Sequence, residues 1–491
     1  AAYGGVDAMC ANADFKDTCK RSLANSNSTE PKDLVLSAFN ATVRNLKTAI
    51  RKSALYKEAA ADKRTKGALA VCEQVLNTTI GNMRRSFKKV DNFDLSQVDD
   101  YIDDVKVWLS AGVTCKDTCV DAFENTTGET GEKIKDLLKT SGELLSNGLA
   151  IVNGVSKLFD TLDLGKILSQ KRVLGEGIPS FVDHHVRNLL GAAAGTYTPN
   201  AVVAQDGSGK FKTIAEAVAA APVNSTNLYV IQIKAGTYKE IVTVPGGKNN
   251  VVFIGEGPTK TIVTGAKSFT SGFTAFETAT LSVDGDDFMA KDIAIENTAG
   301  ASGRQAVAVR VSGDKAVFYN VHMSGYQATL YAHIYRQFYR DCRISGTMDI
   351  IWGDATAIFQ NCVLAVRKPL DEQACTVTAQ ARNDSRAVGV TVVQNCTITA
   401  EKEFLDTKPQ PMAYLGRPMK ANSRTIVMQS NIEGFIAPEG WTPWMGTFFL
   451  DTLYYGEYGN RGPGADLSKR VKWAGIQKMT PELADSFTSA K

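Results

Sequence analysis

Apolar side chains at Leu34, Leu36, Phe39, Val43, Leu46 and Ile50 recur two to four residues apart and form one stripe on a helix. Similar stripes run from Ala68 to Met83, from Val98 to Leu109 and from Ile134 to Leu149. Four amphipathic helices of this length predict an all-α four-helix bundle over residues 1–170. Residues 171–195 contain Leu174-Gly-Glu-Gly-Ile-Pro, then small residues up to Gly195, and read as a linker after which the helical pattern does not return. From Ala201 the period changes. Short β-rich runs appear at Leu228–Ile233, Asn250–Ile254, Ala306–Val311, Val388–Val393 and Thr425–Gln429, each bounded by turn-forming residues.

A weak repeat lies inside the second region. Phe318-Tyr-Asn320, Phe338-Tyr-Arg-Asp341, Phe359-Gln-Asn361 and Val393-Gln-Asn395 resemble one another, with the Asn/Asp positions 21, 20 and 34 apart. A period of 20 or more with one β-run per side predicts the stacked coils of a parallel β-helix over residues 196–491, with the Asn side chains forming a ladder at the bends. A β-sandwich is the competing arrangement on periodicity alone. The cysteines allow four pairs. Cys10 with Cys19 would staple an N-terminal hairpin, and Cys72 with Cys119 would tie two helices, leaving Cys115 odd. Cys342 with Cys362, one period apart, would bridge adjacent coils, and Cys375 with Cys396 would form the fourth.

At 491 residues the chain is long enough for two cores. It is 44% hydrophobic and 22% charged, with no apolar run long enough to span a membrane. The chain opens on Ala-Ala-Tyr with no visible signal peptide and reads as a trimmed form. A net charge of +3 makes no case for nucleic acid. Sequons at Asn27, Asn40, Asn77, Asn125, Asn224, Asn383 and Asn395, with nine cysteines, favour a secreted glycoprotein.

The residues that carry chemistry come in ordered motifs. They are Val202-Val-Ala-Gln-Asp-Gly-Ser-Gly209, Gly300-Ala-Ser-Gly-Arg-Gln305-Ala-Val-Ala-Val-Arg310, Gly325-Tyr-Gln327-Ala328-Thr-Leu-Tyr331-Ala-His333, Gly346-Thr-Met-Asp349-Ile-Ile-Trp352-Gly353, Leu415-Gly-Arg417-Pro-Met419 and Leu453-Tyr-Tyr-Gly-Glu-Tyr458. Together they resemble the plant pectin methylesterases from about residue 196 to the last residue given, and that family's fold is a right-handed parallel β-helix. The first half, with Thr118-Cys-Val-Asp-Ala-Phe123, resembles the pectin methylesterase inhibitor domain. The resemblance implies hydrolysis of galacturonan methyl esters to methanol and a free carboxylate. Asp349 matches the nucleophile, which attacks the ester carbonyl to give an acyl-enzyme and must be ionised to do so. Arg417 matches the guanidinium that favours this, and Gln305 and Gln327 match the amide donors to the developing oxyanion. Tyr331, Trp352 and Met419 fall on substrate-binding positions.

The chain departs from the family at the residue after Gln327. The family has an Asp there, acid toward the leaving methoxide and then base toward water, whereas this chain has Ala328. Losing general acid–base catalysis typically costs roughly a hundred- to ten-thousandfold. Met419 replaces a Trp and offers no flat stacking face. Asp354 and Ala381 replace a usual Asn and Gly. Ala328 admits three readings: an introduced substitution, a natural binder with little or no activity, or a cleft reassigned to another reaction.

In the linker, Arg187-Asn-Leu-Leu190 keeps the Arg-x-x-Leu spacing of a subtilisin-type processing site, with Lys171-Arg-Val-Leu174 a second candidate. The expected partners are pectin, the chain's own inhibitor-like domain acting in cis, and a processing protease. No cofactor, metal, membrane or nucleic acid is expected, and a monomer in the cell wall is. No Gly-His-Gly segment of a polygalacturonase is present. Asp284, Asp286 and Asp287 are the densest acidic group available to a calcium-dependent lyase and read as a solvated turn.

Overall fold

The four apolar stripes become four long helices. The computed structural model describes residues 5–60, 62–92, 98–161, 177–191 and 196–488. The chain forms two units, Ala1–Lys171 with Asn383–Val388, and Arg172–Arg382 with Gly389–Lys491. In the first, the short α1 (Val6–Met9) and α2 (Lys16–Leu23) precede α3 (Pro31–Ala59), α4 (Lys63–Asp91), α5 (Val98–Asp121) and α6 (Thr130–Thr161). Pro31 opens α3 at a position where its missing N–H costs nothing. Asp62 caps α4 by accepting from Thr65 N at 2.9 Å. α3 packs on α4, α4 on α5, α5 on α6 and α6 back on α3, burying Phe39, Leu46, Leu76, Leu109 and Leu145 between them. Gly112 lets α5 approach closely, because a Cβ there would meet Leu145 at 3.0 Å and Thr79 at 3.1 Å. Cys10 bonds Cys19, and Cys72 bonds Cys119 across Cα atoms 4.4 Å apart, tying α4 to α5. Cross-links of this kind stabilise by about 2–4 kcal/mol. Cys115 is a buried thiol.

The second unit is a parallel β-helix. Among the described residues, one network of seventeen strands and another of seven hold it together, and every pairing is parallel. The sequence repeat is the register. Phe318 pairs with Tyr339, Tyr339 with Phe359 and Phe359 with Val393. Their rings stack inside the coils, Phe318 on Tyr339 at 5.0 Å and Tyr339 on Phe359 at 4.5 Å. The bend residues follow suit. Asp292, Asn320, Asp341, Asn361, Asn395 and Gln429 all adopt left-handed φ between 50° and 55°. Asn and Asp tolerate that conformation. Asn320 donates to Asp292 at 2.6 Å and Asn395 to Asn361 at 2.9 Å, so the expected ladder exists, half-buried at the turns. The sequon nitrogen of Asn395 is engaged in it.

Two cysteine pairings are corrected. Cys342, Cys362, Cys375 and Cys396 are buried thiols. Strand register places Cys342, Cys362 and Cys396 at the same position of three successive coils, since Arg343 pairs with Val363 and Val363 with Thr397. They form a column in which Cys342 and Cys362 each donate to the carbonyl two residues before them, Arg340 and Gln360. Parallel side chains on stacked turns point the same way, which disfavours the Cβ geometry that a disulfide needs. Cys375 lies on Cys375–Gln380 in the seven-strand sheet, where its thiol donates to Arg367 O rather than facing Cys396.

The stretch read as a linker also differs. Residues 184–190 form α7 (His184–Leu190), capped by the Asp183 carboxylate accepting from His185 N at 2.8 Å. Val182, Val186 and Leu190 are buried against Val252, Met289 and Phe338 on the outside of the β-helix. Arg187, the first residue of the candidate processing motif, donates to the carbonyls of Val182 and Pro179 at 2.8 and 2.6 Å. Lys291 Nζ caps the helix end by donating to Leu189 O and Leu190 O, both at 3.1 Å. A short helix is hard to see in sequence when its stability comes from the surface it covers. The second candidate, Lys171–Leu174, lies outside the described residues.

Candidate active site

The seven-strand sheet carries the site on its outer face. Its strands are Val242–Val244, Leu281–Val283, Val309–Val311, Leu330–Ala332, Ile351–Gly353, Cys375–Gln380 and Ala413–Gly416. Leu330 pairs with Ile351, and Ile351 with Thr378. Counting back two residues along each chain aligns Ala328, Asp349 and Thr376 as one column in three successive coils. Arg310, Tyr331 and Trp352 align as another.

Asp349 is 8% exposed. Arg417 grips its carboxylate with two parallel bonds, Nε to Oδ1 at 2.7 Å and Nη2 to Oδ2 at 2.6 Å. Such forked charge-assisted pairs fix geometry as well as charge. Thr376 adds a third donor, its Oγ1 to Asp349 Oδ1 at 2.8 Å, while accepting from Asp349 N at 2.8 Å. Asp349 adopts a left-handed φ of 53°, which turns its side chain out of the coil.

Gln305 and Gln327 are partners in an isolated parallel bridge, so their side chains leave the same face one coil apart. Gln305 Oε1 is buried with no hydrogen-bond partner among the described residues. A buried orphan acceptor is costly unless a ligand completes it.

Ala328 is 3% exposed and has φ 65°. Its amide donates to Met348 O at 2.9 Å, so it lies one coil from the nucleophile's turn. An L-residue without a short polar side chain rarely adopts this conformation, whereas Asp does so readily. The backbone thus has the form that suits a second carboxylate, but the side chain is a methyl that can neither give nor take a proton.

Tyr331 and Trp352 stack at 3.5 Å and 7°, and Trp352 Nε1 donates to Ala328 O at 3.3 Å. Met419, two residues after Arg417, is half-buried, its amide donating to Gln380 O. Sequence reading missed the aromatic at Trp444, whose ring lies 4.1 Å from the Arg417 guanidinium. Its signal was the Trp441-Thr-Pro-Trp444 spacing between the Leu415–Met419 and Leu453–Tyr458 motifs.

Asp284 is not part of a solvated turn. It pairs with Arg310 at 2.7 Å, and Arg310 also donates to Ser312 Oγ at 2.7 Å. Ser312 Oγ meets His333 Nδ1 at 2.8 Å. Burial, and then the Arg310 charge, hold His333 well below the usual histidine range, so it is neutral. The Arg310 guanidinium lies 3.8 Å over Phe276, which meets Tyr331 edge-on at 6.2 Å. This charged network backs the aromatic wall. Among the described residues no three His, Cys, Asp or Glu side chains converge to hold a metal ion.

Residues 200–491 match the family model described as Pectinesterase. The chain belongs to the pectinesterase family. Residues 5–151 match the plant invertase/pectin methylesterase inhibitor family, so an inhibitor-family helical domain precedes the pectinesterase domain. Over 98% of its length the chain is 45% identical to a putative pectinesterase/pectinesterase inhibitor 28 of Arabidopsis thaliana, and it covers 66% of that protein. It is 44% identical to the probable pectinesterase/pectinesterase inhibitor 21 of the same plant, of which it covers 74%. Among solved structures, a carrot pectin methylesterase is 47% identical, with a TM-score of 0.59 over 60% of this chain and 93% of that one. An Aspergillus niger pectin methylesterase is 30% identical, with a TM-score of 0.52 over 58% and 92%. A pectin methylesterase solved in complex with a hexasaccharide is 28% identical, with a TM-score of 0.51 over 60% and 96%. No helix among the described residues is long and apolar enough to cross a membrane.

Proposed function

We propose that this pectinesterase cleft binds methyl-esterified galacturonan, that Asp349 is its nucleophile, and that Ala328 limits its turnover. The observation carrying this reading is Asp349 held by Arg417 and Thr376 directly beside a left-handed turn whose side chain is a methyl. Asp349 attacks the ester carbonyl, and the Gln305 and Gln327 amides donate to the oxyanion. Methoxide then leaves without a positioned acid, and no positioned base activates the water that clears the acyl-enzyme. Bulk water does both jobs, slowly. Ala328 also favours a second reading, a cleft that holds pectin with little turnover. The same cell-wall polymer serves both, and secretion to the wall as a monomer fits both. Under either reading the helical domain restrains the β-helix in cis until a subtilisin-type protease cuts at Arg187–Leu190.

Methanol release from highly methylated pectin tests this. The expected order is Asp349→Ala at background, the unmodified chain slightly above it, and Ala328→Asp at least about a hundredfold faster. Fast turnover by the unmodified chain would overturn the role given to Ala328. Silence of Ala328→Asp with intact pectin binding would favour the binding reading.

A further inference from the structure

The strand register runs one apolar column along the outside of the β-helix. Val230 pairs with Val252, Val252 with Met289, Met289 with Val317, Val317 with Phe338 and Phe338 with Ile358, one residue from each of six successive coils. Alternate positions such as Ile231, Phe253 and Phe318 belong to the interior core, so the column faces outward. All six residues are nevertheless buried, between 0% and 6% exposed. A continuous apolar strip of this length stays out of water only where something covers it. Part of the cover is the segment that contains α7. Val182, Val186 and Leu190, spaced four apart, are buried in the same cluster, and Ile178, Phe181 and Leu189 pack against it.

The covering segment braces itself. Asp183 caps it, and Arg187 donates back to Val182 O and Pro179 O within it. A pre-shaped segment of this kind loses little conformational freedom on docking. Lys291 Nζ adds a polar contact across the seam through its bonds to Leu189 O and Leu190 O. The segment also sits at a change of ownership. It follows the helical domain and precedes the first strand, Ala201–Val203. A cut after Leu190 therefore puts α7 on the helical-domain fragment, while the strip it covers stays on the other.

We propose that α7 is a docking plug: after the cut, the segment 178–190 stays seated on the strip around Val252, Met289 and Phe338 and holds the helical-domain fragment to the β-helix as a non-covalent complex. The proposal rests on the cleavage reading given above. Cleavage ends the covalent tie, and release of the helical domain is a second step that requires α7 to leave its seat. The strip is thus an interaction surface whose partner is a short helix with apolar side chains every fourth residue.

The test uses the full chain with a thrombin site replacing residues 192–195, cut to completion after folding and run on size-exclusion chromatography over a dilution series. The two fragments are expected to elute together. An excess of a synthetic peptide of residues 177–191 is expected to separate them, and Val186→Asp/Leu190→Asp to weaken the complex at least about tenfold. Immediate separation of the unmodified fragments would overturn the proposal. So would fragments that stay together both in the double variant and in excess peptide, because contacts other than α7 would then join them. Where the double variant does not fold, the peptide decides alone. Failure of a subtilisin-type protease to cut the natural Arg187–Leu190 motif would sink the cleavage reading by itself, because thrombin makes the break in this test.

Discussion

Thr376 Oγ1 accepts a hydrogen bond from Asp349 N and donates one to Asp349 Oδ1, both at 2.8 Å, closing a ring between the nucleophile's backbone and its carboxylate. Thr376 is 2% exposed, so no water replaces it readily. Thr376→Val keeps the shape and removes both bonds, leaving a buried amide and one carboxylate oxygen short of a partner, at about 1–3 kcal/mol. In the Ala328→Asp background we expect a kcat at least about tenfold lower with KM little changed, and recovery in Thr376→Ser. Unaltered kcat in Thr376→Val would show that Arg417 alone orients the nucleophile.

The left-handed turn at Ala328 carries a cost independent of catalysis. Ala328→Gly is expected to stabilise the second unit by about 1 kcal/mol, because a Cβ in this conformation is disfavoured by roughly 1–2 kcal/mol. Chemical denaturation of the two chains under identical conditions reads this directly. A lower midpoint for the glycine variant would mean that the turn is not strained.

Burial raises Asp287 from 3.8 to about 6, with Asp286, Asp314 and Asp183 adding to the rise and Lys315 opposing it. An acid whose folded pKa is raised holds its proton more tightly when folded. The contribution of Asp287 to stability is therefore greatest below about pH 4, falls as pH rises toward 6 and is level above that, for a loss of up to ~3 kcal/mol. Asp287→Asn keeps a residue suited to φ 56° and removes the ionisation. It is expected to raise the Tm at pH 7 and to leave it unchanged at pH 3.5. A variant less stable than the parent at pH 7 would reverse the assignment.

α7 places the Arg187–Leu190 motif in a docked helix, where a protease needs it extended. Lys291→Met removes the two bonds to Leu189 O and Leu190 O. Cleavage of the folded chain within residues 184–191 by a subtilisin-type protease is expected to be several-fold faster in this variant, followed by mass spectrometry over time. Equal rates would show that the helix end does not limit access.

Periodic features were legible in the sequence. The four apolar stripes gave the bundle, and the Phe-x-Asn repeat gave the coils, because both record contacts that recur at a fixed spacing. The active-site motifs were legible because each contains its own turn. Thr376 was not, since its contact with Asp349 spans 27 residues across coils of unequal length, and only the strand register brings the two together. The cysteine column failed for a related reason. One-period spacing puts Cys342 above Cys362, but spacing says nothing of direction, and stacked turns aim both thiols alike. Asp284 looked solvated because its partner, Arg310, lies 26 residues away in the next coil.

The column Ala328–Asp349–Thr376 behaves as a rack of interchangeable slots. Each coil supplies one side chain to the same spot on the outer face, so adjacent slots are neighbours in space whatever the length of the loops between them. Chemistry can then be removed or added one rung at a time without moving the others. Here the lower slot is blank, the middle one carries the carboxylate and the upper one a hydroxyl. The rack itself, including the left-handed turn that would display an acid, is still in place.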